Sequence, residues 1–306
     1  MRRILVPLDG SELSASILPD ACRAAGPDGE ILLIRDDAAL TVNPETGRNA
    51  RRPSREADNW LEEKAESLRR EGFRVEVKLM SMPNAAACID RAAEEFDVDM
   101  IACATHGRGP LGRLAHGAVA WHALAHSSVP VLMRHGLTQP PTSPEPKRRH
   151  ILVPLDGSTF AETALPLAAE LAREWQASMT LVRVIPDSPA RSRPYAWYEL
   201  PPEYAQVERE DAAAYLQGIE QQLELPVETK LLTGPTVPDA LIHATSAWNI
   251  TDIVMASHGR TGLSRVILGS VTDALVQRLH CPIIVVPSLV TPQPRLEEVP
   301  STAISR

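Results

Sequence analysis

The octapeptide ILVPLDGS stands twice in this chain, letter for letter, at Ile4 to Ser11 and at Ile151 to Ser158. A second echo follows: CATHGRGPLGRLAHGAVAWHAL from Cys103 answers MASHGRTGLSRVILGSVTDALV from Met255, and each precedes a short apolar run, VPVLM or PIIVV. Pro19 and Pro166 each lie ten positions after the aspartate of their copy, where an interior proline is expected to bend a helix. Coincidence at three separate places is negligible, so both copies must fold alike. The length of 306 residues suits two domains of about 150 each. They are expected at 1–137 and 150–288. The linker between them, 138–149, reads TQPPTSPEPKRR and is extended by composition; a tail at 289–306 shows no periodicity.

Within each copy, short β-rich runs alternate with segments long enough for helices. The first has RILVPL, EILLIR, RVEVKLM, DMIACAT and VPVLM; the second has HILVPL, MTLVRVI, VETKLLT, TDIVMAS and PIIVVP. Several are apolar without strict alternation, as strands buried on both faces of a parallel sheet should be. The fold class is therefore α/β, with two tandem Rossmann-like, doubly wound domains, each on a five-stranded parallel sheet. Ligands of such sheets collect outside the carboxyl ends of the strands, where strand order reverses. That places interest on PLDGS after strand one and on the glycine loop after strand four.

In the second copy that loop begins ASHGRTG and ends LGS. Gly259 and Gly262 let the backbone leave the strand with a closeness of approach that a side chain forbids. Gly269 precedes SVTDALVQRL, in which Ser270 is the expected N-cap and Asp273 takes the capping-box position. Free amides, the positive end of the helix dipole and a nest of loop N–H groups make this point an anion site that suits a phosphate chain.

At these residues the chain resembles the universal stress proteins, whose ATP-binding members carry G-x-x-G, nine further residues, then Gly-Ser or Gly-Thr after strand four. Here Ala256, His258 and Gly259 are followed, nine residues on, by Gly269 and Ser270, with Ala256 where the first glycine usually stands. The P-x-D that this family places at the end of strand one is matched by Pro154 and Asp156. The resemblance covers both copies. It implies the adenine nucleotide alpha hydrolase-like variant of the fold and ATP, or another adenine nucleotide, as cofactor, with Mg2+ as a companion ion. Adenine would meet the main chain of Val184, ribose would sit near Asp156, and phosphates would lie on Gly259, Gly269, Ser270 and Val271. It also implies pairing of the last strands of the two copies, an internal pseudo-dimer that hides two sheet edges. Whether two chains then associate as a homodimer is open.

The first copy keeps the front of this pocket in Pro7, Asp9, Ala104, His106 and Gly107, and reaches Gly117 at the same spacing. Ala118 then replaces the serine, and the acid three residues on is missing. This half is expected to bind nucleotide more weakly or to serve as a structural partner. As bare sequence, Asp9 and Asp156 are also good turn residues before Gly-Ser, and Ser158 is a better helix cap than ligand contact. His106 and His258 recur, but a histidine in a tight loop more often stacks or hydrogen-bonds locally than catalyses.

Other chemistry finds little support. GRGPLG, from Gly107 to Gly112, matches the dinucleotide fingerprint formally, yet follows strand four where that motif follows strand one. P-loop, nucleophile-elbow and H-E-x-x-H motifs are absent, and no catalytic or metal-ligating residue is assigned. A net charge of −8 argues against nucleic acid, and no apolar run approaches a membrane span, so a cytoplasmic protein is expected. Cys22, Cys88, Cys103 and Cys281 lie far apart and read as small buried apolar residues. Two long connections after strand two, NPETGRNARRPSRE and PDSPARSRPYAWYELPPEY, read as lids, docking surfaces or solvated loops. Three functions stand open: a non-enzymatic ATP-binding stress regulator with an unknown protein partner; a slow ATPase or adenylate-processing enzyme; and a stress protein without nucleotide.

Overall fold

The computed structural model describes residues 2–36, 39–42, 49–52, 55–80, 82, 84–105, 118–135, 148–186, 202–257, 269–279 and 281–287. The N-terminal half runs β1 (Arg3–Pro7), α1 (Glu12–Ala15), α2 (Leu18–Ala25), β2 (Glu30–Asp36), β3 (Ala39–Val42), β4 (Asn49–Arg52), α3 (Arg55–Arg70), β5 (Arg74–Met80), α4 (Ala85–Glu95), β6 (Met100–Thr105), α5 (Ala118–His126) and β7 (Val131–His135). The C-terminal half runs β8 (His150–Pro154), α6 (Thr159–Glu162), α7 (Leu165–Glu174), β9 (Ser178–Pro186), α8 (Pro202–Gln222), β10 (Glu228–Gly234), α9 (Val237–Ala247), β11 (Asp252–Ala256), α10 (Ser270–Arg278) and β12 (Ile283–Val286).

Ten of these strands form one sheet in the order β10-β9-β8-β11-β12-β7-β6-β1-β2-β5. Neighbours within each half are parallel. The halves join through an antiparallel pair, β7 with β12, which sets Val131 against Val285, Leu132 against Ile284 and Met133 against Ile283. The two five-stranded sheets are thus halves of a continuous surface, and two apolar edges cover each other. The remaining outer edges carry ion pairs, Lys78 to Glu76 at 2.7 Å on β5 and Lys230 to Glu228 at 2.9 Å on β10.

Alternation along the strands sorts the core into two layers. Ile4, Val6, Ile31 and Leu33 face helices α2, α3, α7 and α8, while Leu5, Leu32 and Ile34 face α4, α5, α9 and α10. Each such side chain contributes about 1.5–3 kcal/mol of burial, which is why near-continuous aliphatic runs become central strands here.

Three local outcomes differ from the sequence expectation. Pro19 and Pro166 do not bend a helix; each helix is broken, so that α1 and α6 end before a turn and the proline opens α2 or α7 in its first two positions. A proline there removes no needed donor, whereas in a continuous helix it would. The first long connection holds a hairpin, with Ala39 opposite Arg52 and Val42 opposite Asn49, and its end already belongs to α3. The second connection lies mostly outside the described residues but ends in α8. Most of the 138–149 linker and the whole 289–306 tail also lie outside them.

Cys22, Cys88 and Cys103 are buried and Cys281 is partly buried; burial pushes the thiols of Cys22, Cys103 and Cys281 up to about 12. Among the described residues no helix is long and apolar enough to cross a membrane.

Candidate functional site

Strand order reverses between β8 and β11 in one half and between β1 and β6 in the other. A crevice therefore opens at the carboxyl ends of each pair. On the β8 side, Pro154 pairs with Val182 and Leu155 donates its N–H to Val182 O at 2.8 Å, after which the chain turns away. The turn is built by Asp156, whose Oδ1 accepts from Ser158 N at 3.0 Å and from Ser158 Oγ at 2.6 Å. Ser158 in turn caps α6, accepting from Ala161 N at 3.2 Å. The first copy repeats this closely: Leu8 donates to Ile34 O, Asp9 Oδ1 accepts from Ser11 N and Oγ at 2.9 and 2.6 Å, and Ser11 caps α1. Asp156 thus combines turn chemistry with a place at the crevice.

Strand β9 continues to Pro186, beyond the last β8 partner, which leaves Val184 at the rim. The residue before it is one that sequence reasoning missed. Gly157 holds φ +84°, and a Cβ added to it would lie 3.0 Å from Arg183 Nη1, so the guanidinium rests directly on the glycine. The same guanidinium stacks over Tyr215 of α8, 5.4 Å from the ring centre, and Tyr215 donates its hydroxyl to Glu162 at 2.9 Å. Burial, with Glu162 adding to it, raises the Tyr215 phenol above its usual range. In the first copy Arg35 does likewise, resting on Gly10 at φ +92° and lying 5.8 Å over Trp60. A cation clamped between glycine and aromatic therefore stands at the first turn of each copy. The signal was present in the sequence as the arginines of LLIR and TLVR.

The opposite wall is the β11 exit. Ala256 and Ser257 are buried. Gly269 donates its N–H to Ser257 O at 3.1 Å, and the Thr272 hydroxyl lies 3.5 and 3.4 Å from the carbonyls of Ala256 and Ser257. The excursion after Ser257 thus starts and ends at one point, and α10 is stapled to the strand. The helix cap differs from expectation. Gly269 is the N-cap, without a side-chain cap bond, and Ser270 is the first helical residue, exposed. Asp273 forms no capping box: its N–H donates to Gly269 O at 2.9 Å, and its carboxylate accepts from Gln277. The staple fixes the frame one residue earlier than cap preference alone. Consequently the amides of Ser270, Val271 and Thr272 have no acceptor within their own helix, and they concentrate the positive end of its dipole.

Of the residues expected in the site, Pro154, Asp156, Val184, Ala256, Gly269, Ser270 and Val271 lie at these strand ends and at the start of α10. Pro7, Asp9 and Ala104 take the equivalent places in the other half, where Ala118 opens α5. His258, Gly259, Gly262, His106, Gly107 and Gly117 lie outside the described residues. The halves differ at the staple too, since Ala120 stands where Thr272 does. Among the described residues no group of three or more His, Cys, Asp or Glu could hold a metal.

The model of the universal stress protein family matches residues 1–135 and again 147–287. Universal stress protein MJ0531 of Methanocaldococcus jannaschii is 30% identical over 141 residues, covering 45% of this chain and 81% of that protein. Universal stress protein Rv2005c of Mycobacterium tuberculosis is 25% identical over 189 residues, 62% of each chain, so this chain spans less than two thirds of that relative. Among solved structures, a universal stress protein from Archaeoglobus fulgidus superposes with a TM-score of 0.60 at 21% identity, covering 94% of this chain and 98% of its own. A functionally unknown protein, PA1789 of Pseudomonas aeruginosa, gives 0.66 at 17%, covering 94% and 92%. At these identities the structural likeness is one of fold.

Proposed function

The chain belongs to the universal stress protein family, and we propose that it binds ATP in the crevice of its C-terminal half and acts in the cytoplasm as a non-enzymatic regulator whose occupied form a protein partner reads. The observation that carries this is the start of α10, where three amides without helical acceptors are pinned against the carboxyl end of β11. A phosphate chain supplies the acceptors they lack. In this arrangement Ser270 adds its exposed hydroxyl, Asp156 accepts from ribose, and the Val184 main chain at the rim meets adenine. Mg2+ accompanies the phosphates. The Asp156 Oδ1 is already held by two donors from Ser158, which suits a hydrogen-bond acceptor better than a general base. The N-terminal half, with Ala118 and Ala120 at its helix start, binds nucleotide more weakly.

The test is titration calorimetry with ATP. A hydrogen bond to a charged oxygen contributes about 1.5–3 kcal/mol, so Ser270→Ala should weaken binding about ten- to a hundred-fold. The fold should be unchanged, because the serine makes no cap bond. Equal affinity in the variant removes Ser270 from the site. Incubation of ATP with excess protein separates regulator from enzyme: intact ATP after hours is the expected result, and protein-dependent ADP or AMP overturns the non-enzymatic part.

A further inference from the structure

The middle of the sheet is closed by charge as well as by the β7–β12 ladder. Asp20 of α2 is 1% exposed and Asp252, which opens β11, is 0% exposed. Asp20 accepts from Arg23 and, at 2.7 Å, from Arg134 of β7. Asp252 accepts from Arg149 at 3.0 Å and from Arg23, across the seam, at 3.3 Å. Beside them Arg2 sends one N–H to Glu170 and another to Glu174 of α7, each at 2.6 Å, and donates to Ala24 O at 3.0 Å. Asp20 and Asp252 are buried deeply enough to be tolerated only when paired, whereas the side chains of Glu170 and Glu174 stay 55% and 47% exposed.

The internal repeat allows each member to be compared with its counterpart in the other half. Arg2 and Arg149 correspond, each standing just before the first strand of its copy. The others do not match. Arg23 and Glu170 each lie four residues after the helix proline, a reversal of charge. Asp20 answers Leu167 in the same frame. The registers of Ile4 with Met100 and of Ile151 with Asp252 make Met100 the counterpart of Asp252. Arg134 likewise answers Val286, since Ile101 pairs with Val131 and Ile253 with Ile283.

These ion pairs set four guanidinium groups against four carboxylates. The N-terminal half supplies three of the cations and one anion; the C-terminal half supplies one cation and three anions. An N-terminal half paired with a copy of itself would bring six guanidinium groups against two carboxylates, with Arg23 where Glu170 receives Arg2, and Met100 where Asp252 neutralises the centre. Two C-terminal halves would bring six carboxylates against two cations. Like-charge juxtaposition of this kind is what excludes wrong partners at interfaces.

We propose that the seam is charge-coded for unlike halves. Each half accepts the complementary half and rejects its own kind. The apolar ladder itself carries no such preference, because valine, leucine, isoleucine and methionine on β7 and β12 would serve any pairing.

Full-length variants test this. Glu170→Arg with Glu174→Arg gives the C-terminal half the sign of its counterpart; Glu170→Gln with Glu174→Gln only removes the attraction. The arginine version should melt several degrees below the glutamine version, and adding Arg2→Glu to it should recover most of that difference. The coding is refuted if arginine is no worse than glutamine, or if Arg2→Glu lowers the midpoint further by the amount it costs alone. Should the arginine version not be recovered folded, the milder cycle decides: Arg2→Gln must cost less in the glutamine background than in the natural one, and equal costs refute the coupling.

Discussion

Substituting alanine for Gly157 probes the turn that follows β8. Two costs combine. The first is conformational, since φ of +84° lies in the left-handed region, at about 1–2 kcal/mol for a residue with a Cβ. The second is contact: the new Cβ would sit 3.0 Å from Arg183 Nη1 and 3.3 Å from Cζ. The guanidinium is the far end of a flexible side chain and can swing away, but it then leaves Tyr215, a stacking worth about 0.5–1 kcal/mol. The sum is about 2 kcal/mol, or a fall in Tm of about 5 °C. Gly218, inside α8, has nothing within 4 Å of its missing Cβ, so the same change there should stabilise by up to about 1 kcal/mol. Thermal melts of both variants and of Gly157→Ala in an Arg183→Ala background give the decisive pattern. The first should fall, the second should rise, and in the Arg183→Ala background only the conformational part should remain. A neutral Gly157→Ala would refute the reasoning, and an unchanged cost in the Arg183→Ala background would remove the guanidinium from it.

Two further outcomes follow from the same structure. Thr272→Val should lower ATP affinity while Thr272→Ser keeps it, because the hydroxyl adds to the Gly269 N–H bond in fastening α10 to the carbonyls of Ala256 and Ser257; calorimetry in which the valine variant binds like the natural protein rejects the hydroxyl's part in the staple. His150 titrates below the usual imidazole value of about 6.5, chiefly because it is buried, with Nδ1 donating to Trp248 O and Nε2 against Thr180 Oγ1. The unfolded chain then takes up the proton first, so its contribution is complete above that value and is lost as pH falls towards the lower folded value. Urea midpoints at pH 7.5 and 5.5 should therefore differ more in the natural protein than in His150→Gln, and equal differences would exclude this histidine.

Much of the architecture is legible in the sequence, and the reasons are specific. All ten strands of the main sheet were anticipated, because runs such as IIVV and ILLI have no stable place except between two layers of helices. The β3–β4 hairpin was not, since ALTV and NARR are short and the second is polar. Cap preference favours Ser270 over Gly269, yet a tertiary staple from Ser257 set the frame, and no local rule contains that bond. Arg35 and Arg183 escaped notice because one extra residue precedes β9, so the arginines fall out of step when the copies are aligned from their aspartates. Asp20 looks like an ordinary first-turn acid of α2, and only its burial reveals that it neutralises arginines at the seam.

The crevice and the seam are joined by one element. Helix α10 begins at three amides without helical acceptors, is tied to α9 by Arg278 on Asp239 at 2.8 Å, and packs against β7, which belongs to the other half. Strand β7 in turn ends near Arg134, the partner of buried Asp20. A ligand that binds only the folded site stabilises it by about 2.7 kcal/mol at a hundredfold excess over its Kd. That energy enters at the amino end of a helix whose flank rests on the opposite half, so it acts on how the halves are held together as well as on the pocket. For the regulator proposed above, which would signal by occupancy, this is the useful placement. In a lone domain an anion at the helix start would order only its own loop, whereas here the helix it orders is also part of the joint between unlike halves.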